Sequence, residues 1–164
     1  MKHLSEVHSE NSPKSYLNAL YGSYEPGCIF TLCEIPKGGV KLNPYHCESI
    51  SEVLTQAEAL SHNHVYLTTG VYSTKPAKGR GTATDVTGLS YFWMDIDHAG
   101  GVHKKAGLPT KEQALTFIDS LPLKASIIVD SGGGFYPIWA FDKPLIFAND
   151  ADRAKTALLS QLII

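Results

Sequence analysis

Short apolar stretches of two different periods alternate along the chain with turn-forming residues, and the periods predict the elements. Residues 12–22, "SPKSYLNALYG", predict a short helix with Ser12 as cap, Pro13 in the first turn and Gly22 as the stop. "GCIFTLCEI" (27–35) has the composition of a strand, and "PKGGVKLNPYH" (36–46) reads as a turn-rich loop. "SISEVLTQAEALSHN" (49–63) places Val53, Leu54, Ala57 and Leu60 on one helical stripe, after which "HVYLTTGVYST" (64–74) returns to strand composition. The polar, glycine-bearing "KPAKGRGTATDVTG" (75–88) is the best candidate for a mobile loop.

The second half has a clearer order. A strand, "LSYFWMDID" (89–97), leads through the loop "HAGGVHKKAGLP" to a helix, "TKEQALTFIDSL" (110–121). Thr110 and Gln113 form a capping-box signature, and Ala114, Phe117, Ile118 and Leu121 line one face of that helix. A strand (125–131), a glycine turn (132–134), a second strand (135–141) and a final helix (149–164) complete a β-α-β-β-α half with a hairpin in it. The expected fold class is α+β: an RRM-like β-α-β-β-α half over 86–164 follows an α/β module over 1–85. The helices pack on a mostly antiparallel sheet within a single domain of 164 residues.

Composition narrows the class. With 43% hydrophobic and 18% charged residues the chain can bury a core without disulfide or metal staples. A net charge of −2 gives no global pull toward polyanions, so a nucleic-acid partner would have to meet a local basic patch. Three cysteines suit a reducing compartment better than a disulfide scaffold. Cys28, Cys33, His46 and Cys47 contain no CxxC, and free thiols in or near a core are the preferred reading over a zinc cluster. No apolar run suits a bilayer span and the N-terminus has no signal-peptide core, so a cytoplasmic protein without a membrane partner is expected.

Two stretches carry candidate chemistry. In "WMDID", side chains alternate across the strand, so Phe92, Met94 and Ile96 point to one face while Tyr91, Trp93, Asp95 and Asp97 share the other. Two carboxylates about 7 Å apart at their backbones can converge on divalent ions, and hard oxygen ligands suit Mg²⁺ or Mn²⁺. The alternative is a solvated strand end before a turn. In "DSGGGFYPIW", Ser131 and Gly132, Gly133 and Gly134 allow close backbone approach and an anion-binding nest, or simply a flexible hairpin turn.

The conjunction of strand-DxD, helix and strand-SGGG-x-x-x-x-W resembles the archaeo-eukaryotic primase superfamily, the primase-polymerases common in plasmids, phages and mobile elements. The resemblance covers residues 62–145 best. It implies DNA primase or polymerase nucleotidyl transfer in replication, with Asp95 and Asp97 binding catalytic Mg²⁺ or Mn²⁺. It also implies that Ser131, Gly132, Gly133, Gly134 and residue 136 hold the triphosphate. The partners it implies are nucleoside triphosphates and a single-stranded DNA template, with room for a helicase, fused or separate. Two departures stand out. The family's histidine falls at Tyr136, which donates one hydrogen bond but carries no positive charge. A third acidic motif has no counterpart before the final helix, so the chain is expected to be C-terminally incomplete, and whether it acts alone stays open.

Lys78 and Arg80, with Lys75, are the basic candidates for triphosphate or template backbone, against a solvated loop. His103, Lys104 and Lys105 are expected in solvent, and Trp139 and Phe141 in the core. Trp93 stacks on a base or sugar, or packs. Two rival functions remain. His62 and His64 are spaced like the metal-binding pair of rolling-circle replication endonucleases, although Asn63 between them is polar. An RRM-like module could instead bind single-stranded nucleic acid through aromatics without chemistry.

Overall fold

The computed structural model describes residues 12–24, 27–100 and 106–163, so His103, Lys104 and Lys105 lie outside the described residues. The chain is α+β, and its described residues form four helices and two antiparallel sheets. It divides into two compact units, one of Tyr91–Asp142 and one drawn from His8–Ser90 with Lys143–Ile163. These bounds differ from the two sequence-based halves: the division falls between Ser90 and Tyr91, and the last helix goes with the N-terminal residues.

The larger unit begins with α1 (Pro13–Tyr21), capped by Ser12 and stopped at Gly22 as its sequence dictates. β1 (Phe30–Ile35) lies between β2 (Asn43–Cys47) and β3 (His64–Leu67), antiparallel to both. The segment expected as loop thus contains a strand. Pro44 is tolerated because β2 is an edge strand, with one side of its backbone unpaired in the sheet. α2 (Ile50–Ala59) starts at Ser49, whose side chain accepts from the Glu52 N–H. Residues 64–74 form two strands rather than one, because the chain turns after β3 and β4 (Gly70–Val71) pairs with the start of β5 (Gly88–Trp93).

Glu34 is buried yet satisfied. Its carboxylate accepts from Asn43 Nδ2 at 3.1 Å, Tyr45 OH at 3.0 Å and Asn63 Nδ2 at 2.5 Å. The Asn43 bond does most to hold this carboxyl below its ordinary range. Cys33 and Cys47 are buried free thiols and Cys28 is half-buried; burial raises the Cys33 thiol and pushes Cys47 up to about 11. Of α4 (Asp150–Ile163), Arg153 donates twice to the Val86 carbonyl and lies over the Phe147 ring. Among the described residues no helix is long and apolar enough to cross a membrane.

The smaller unit holds the end of β5, then β6 (Ile96–Asp97), α3 (Lys111–Ser120), β7 (Ile127–Asp130) and most of β8 (Gly134–Ile146). The predicted strand 89–97 is interrupted at residues 94 and 95, although Met94 N–H still donates to Pro137 O at 3.2 Å. Phe135 pairs with Ile96 on one side and Asp130 on the other, so β6 and β7 occupy opposite edges of β8. α3 carries the capping box of Thr110 and Gln113 and covers one face of this sheet, where Ala114, Ile118 and Phe135 are buried with Ile96 against them. Phe117, expected on the buried face, is 47% exposed: the contact is centred on Ala114 and Ile118, and the next position round the helix faces solvent. Trp139 is buried, and its indole N–H donates to Leu123 O at 3.0 Å.

Candidate active site

Antiparallel pairing decides which side chains meet, because residues directly opposite point to the same side of the sheet. Asp97 lies opposite Gly134, and the same register carried back along the strands sets Asp95 opposite Tyr136. Across β8, Tyr136 pairs with Val129 and Ile138 with Ile127. The face away from α3 therefore carries Trp93, Asp95 and Asp97 along one edge and Tyr136 and Gly134 beside them. Ser131 follows at the turn. Alternation places these residues together, and burial agrees: Phe92, Met94 and His98 are buried, while Trp93 and Asp95 are exposed and Asp97 half-buried. Tyr91, on the same face by parity, is buried at the far end of the row.

The glycine turn is a tight hairpin end. Ser131 N–H and Oγ both donate to Gly134 O at 2.9 Å, and Gly134 N–H donates back to Ser131 Oγ at 3.1 Å. Gly132, at φ +82°, takes a conformation that favours glycine, and its N–H donates to Asp130 Oδ1 at 2.8 Å. Gly134 is constrained differently: a Cβ there would stand 2.6 Å from the Ile96 carbonyl oxygen. The absent side chain lets β6 and β8 close at Asp97. The Ser131 hydroxyl and the amides of Gly132 and Gly134 are thus spent inside the turn, and a phosphate bound there would compete with those bonds.

Asp130 shapes the turn and was not singled out by sequence, although an aspartate just before a glycine turn is the signature of a side chain that bonds its own backbone two residues on. Its carboxylate bridges Gly132 N–H and Lys111 Nζ, the latter at 2.6 Å, and the lysine does most to hold the carboxyl below the usual aspartate range. Lys111 belongs to the helix-covered side, where it lies over the Phe135 ring. His98, immediately after the acids, is buried against Phe135 with Nδ1 on the Ala99 carbonyl. No sequence signal pointed to it.

Among the described residues no three His, Cys, Asp or Glu side chains gather as a metal cluster. Two carboxylates on an open face nevertheless form a donor set of the kind Mg²⁺ uses, since that ion keeps several waters and takes one or two carboxylates together with substrate phosphates.

Lys78 and Arg80 belong to the other unit. There Tyr72 OH donates to Arg80 O at 2.8 Å, and Thr82 N–H and Oγ1 each reach Asp85 at 2.7 Å, so the loop expected to be mobile is pinned by its own bonds. Arg80 lines a pocket of about 390 Å³ with Thr68, Tyr72 and Thr82. His62 and His64 are exposed on either side of Asn63, whose side chain is committed to Glu34. His46 Nδ1 is 2.9 Å from Thr31 Oγ1.

No family model matches the sequence, and no curated protein matches it. Among solved structures, the AEP domain (PP-N190) of the primase-polymerase (PrimPol) of cyanophage S-2L is similar, with a TM-score of 0.51 at 13% sequence identity. The match covers 90% of this chain and 70% of that one. The likeness is one of fold.

Proposed function

We propose that the chain is a primase-polymerase-type nucleotidyltransferase domain whose acids and hairpin turn handle a nucleoside triphosphate on a single-stranded DNA template, in replication of a phage or mobile element. The register that sets Asp97 opposite Gly134 carries this reading, because it brings the acidic strand and the glycine hairpin onto one open face. The fold it shares with a phage primase-polymerase domain supports it. Asp95 and Asp97 would hold Mg²⁺ or Mn²⁺. When bound, such an ion supplies positive charge for the leaving pyrophosphate and makes an attacking hydroxyl more acidic.

The chain's own groups do the rest. The turn of Ser131–Gly134 offers backbone approach to the phosphates without side-chain bulk, and Tyr136 offers one hydroxyl donor across from Asp95. Lys78 and Arg80, on the larger unit, would supply charge for phosphates of the template strand. A cytoplasmic location follows from that role.

The test is nucleotide incorporation with Mn²⁺ and labelled nucleoside triphosphates on a primed and an unprimed template, with Mn²⁺ binding followed by electron paramagnetic resonance. Asp95→Ala and Asp97→Ala should each weaken the Mn²⁺ signal and cut incorporation by about a hundredfold or more. The internal commitment of the turn's donors favours a second reading, an RRM-like module that binds single-stranded nucleic acid without chemistry. No Mn²⁺ binding, with nucleic-acid affinity indifferent to Asp95→Ala, would establish that reading instead.

A further inference from the structure

The face that carries the acids also carries two aromatic rings. We infer that Trp93 and Tyr136 form a platform on which a nucleobase stacks, next to Asp95 and Asp97; the inference deepens the proposed handling of nucleotides on that face.

The chain has two tryptophans, both in the smaller unit, and they are treated oppositely. Trp139 is 5% exposed with its N–H satisfied, whereas Trp93 is 40% exposed. A large ring left in water on a strand whose neighbours Phe92 and Met94 are buried is not serving the core.

Its partner is Tyr136, with ring centroids 5.5 Å apart and planes at 80°. A perpendicular pair covers at most one of the four ring faces, so ring surface remains for a third aromatic. The contact also holds both rings in place beforehand, which lowers the ordering cost of binding. Trp93 and Asp95 are two positions apart on one side of the strand, about 7 Å by strand rise, and Tyr136 stands opposite Asp95. That spacing is on the scale of one nucleotide, with the base over the rings and the phosphates toward the acids and the hairpin. Stacking tolerates every base, because each has a π-face.

Indole fluorescence reads this directly, without turnover. Titration of the full chain with dGTP in the absence of divalent metal should give saturable quenching that Trp93→Phe abolishes and inorganic tripolyphosphate does not produce. Trp93→Ala should weaken dGTP binding, followed by equilibrium dialysis, by about tenfold. A parallel titration with a single-stranded thymidine oligonucleotide identifies the source of the base. Quenching by dGTP assigns the platform to a free nucleotide, and quenching by the oligonucleotide alone assigns it to a base within a strand.

Absence of saturable quenching by either probe overturns the inference, as does equal quenching by tripolyphosphate or quenching that survives Trp93→Phe. The two readings fail separately. Quenching that persists in a chain that neither binds Mn²⁺ nor incorporates nucleotide keeps the platform and removes the polymerase. Incorporation with an unchanged KM in Trp93→Ala does the reverse.

Discussion

Gly134→Ala is the smallest change that tests how the acidic strand meets the hairpin. The added Cβ would lie 2.6 Å from the Ile96 oxygen, 3.1 Å from its carbonyl carbon and 3.2 Å from the Asp97 Cα. The closest of these is about 0.8 Å short of ordinary contact. All three are backbone atoms, so no side-chain rotation relieves them, and β6 has to move off β8. Overpacking of this kind costs about 1–3 kcal/mol. With a urea slope of about 2 kcal/mol per molar, the midpoint should fall by about 1 M.

Both tryptophans lie in this unit, so fluorescence-detected urea unfolding reports on it. The neighbouring Gly132 supplies the control, because its φ is +82° with nothing within 4 Å of a Cβ. There the cost is conformational, about 1–2 kcal/mol for alanine and less for asparagine, which tolerates the left-handed region. At Gly134 the order reverses, and asparagine should cost at least as much as alanine. A Gly134→Ala chain with the wild-type midpoint, or asparagine better tolerated than alanine at 134, would refute the close approach of the two strands.

Thr110→Ala removes the cap of α3 and should cost about 1 kcal/mol, seen as a lower midpoint in the same unfolding experiment. Lys111→Ala should bring the Asp130 carboxyl back toward the ordinary aspartate range, though not fully, since Gly132 N–H still donates to it; carboxyl-carbon NMR across an acid titration checks this. Glu34 is held below its ordinary value of 4.5, so its contribution to stability is present above that pH and is lost as pH falls through the lowered value. Glu34→Gln should therefore flatten, without abolishing, the acid limb of a midpoint-against-pH profile, because Asp85 and Asp130 are lowered as well.

Features fixed by neighbouring residues were legible in the sequence. Ser12 with Pro13, and Thr110 with Gln113, mark helix starts because a cap needs only its own first turn. The alternation through Phe92–Asp97 gave the faces of the acidic strand, since a period of two is local too. What escaped depends on distant partners. Asn43-Pro44-Tyr45-His46 has the composition of a loop and becomes a strand because β1 is there to pair with it. The sequence ends the strand at 141, whereas β8 runs on to Ile146. At the candidate site, residue types were legible but register was not. No local pattern states that Asp97 stands across from Gly134, or that a Cβ at that glycine would strike the Ile96 carbonyl oxygen.

The unequal burial of the three cysteines gives the chain a single natural attachment point. Thiolate is the reactive form, and burial both raises the Cys33 and Cys47 thiols, Cys47 to about 11, and screens them from a reagent that the half-buried Cys28 can meet. A maleimide dye offered briefly to the folded protein should therefore land on Cys28 and spare the others. Selective labelling would then need no cysteine to be engineered in or removed.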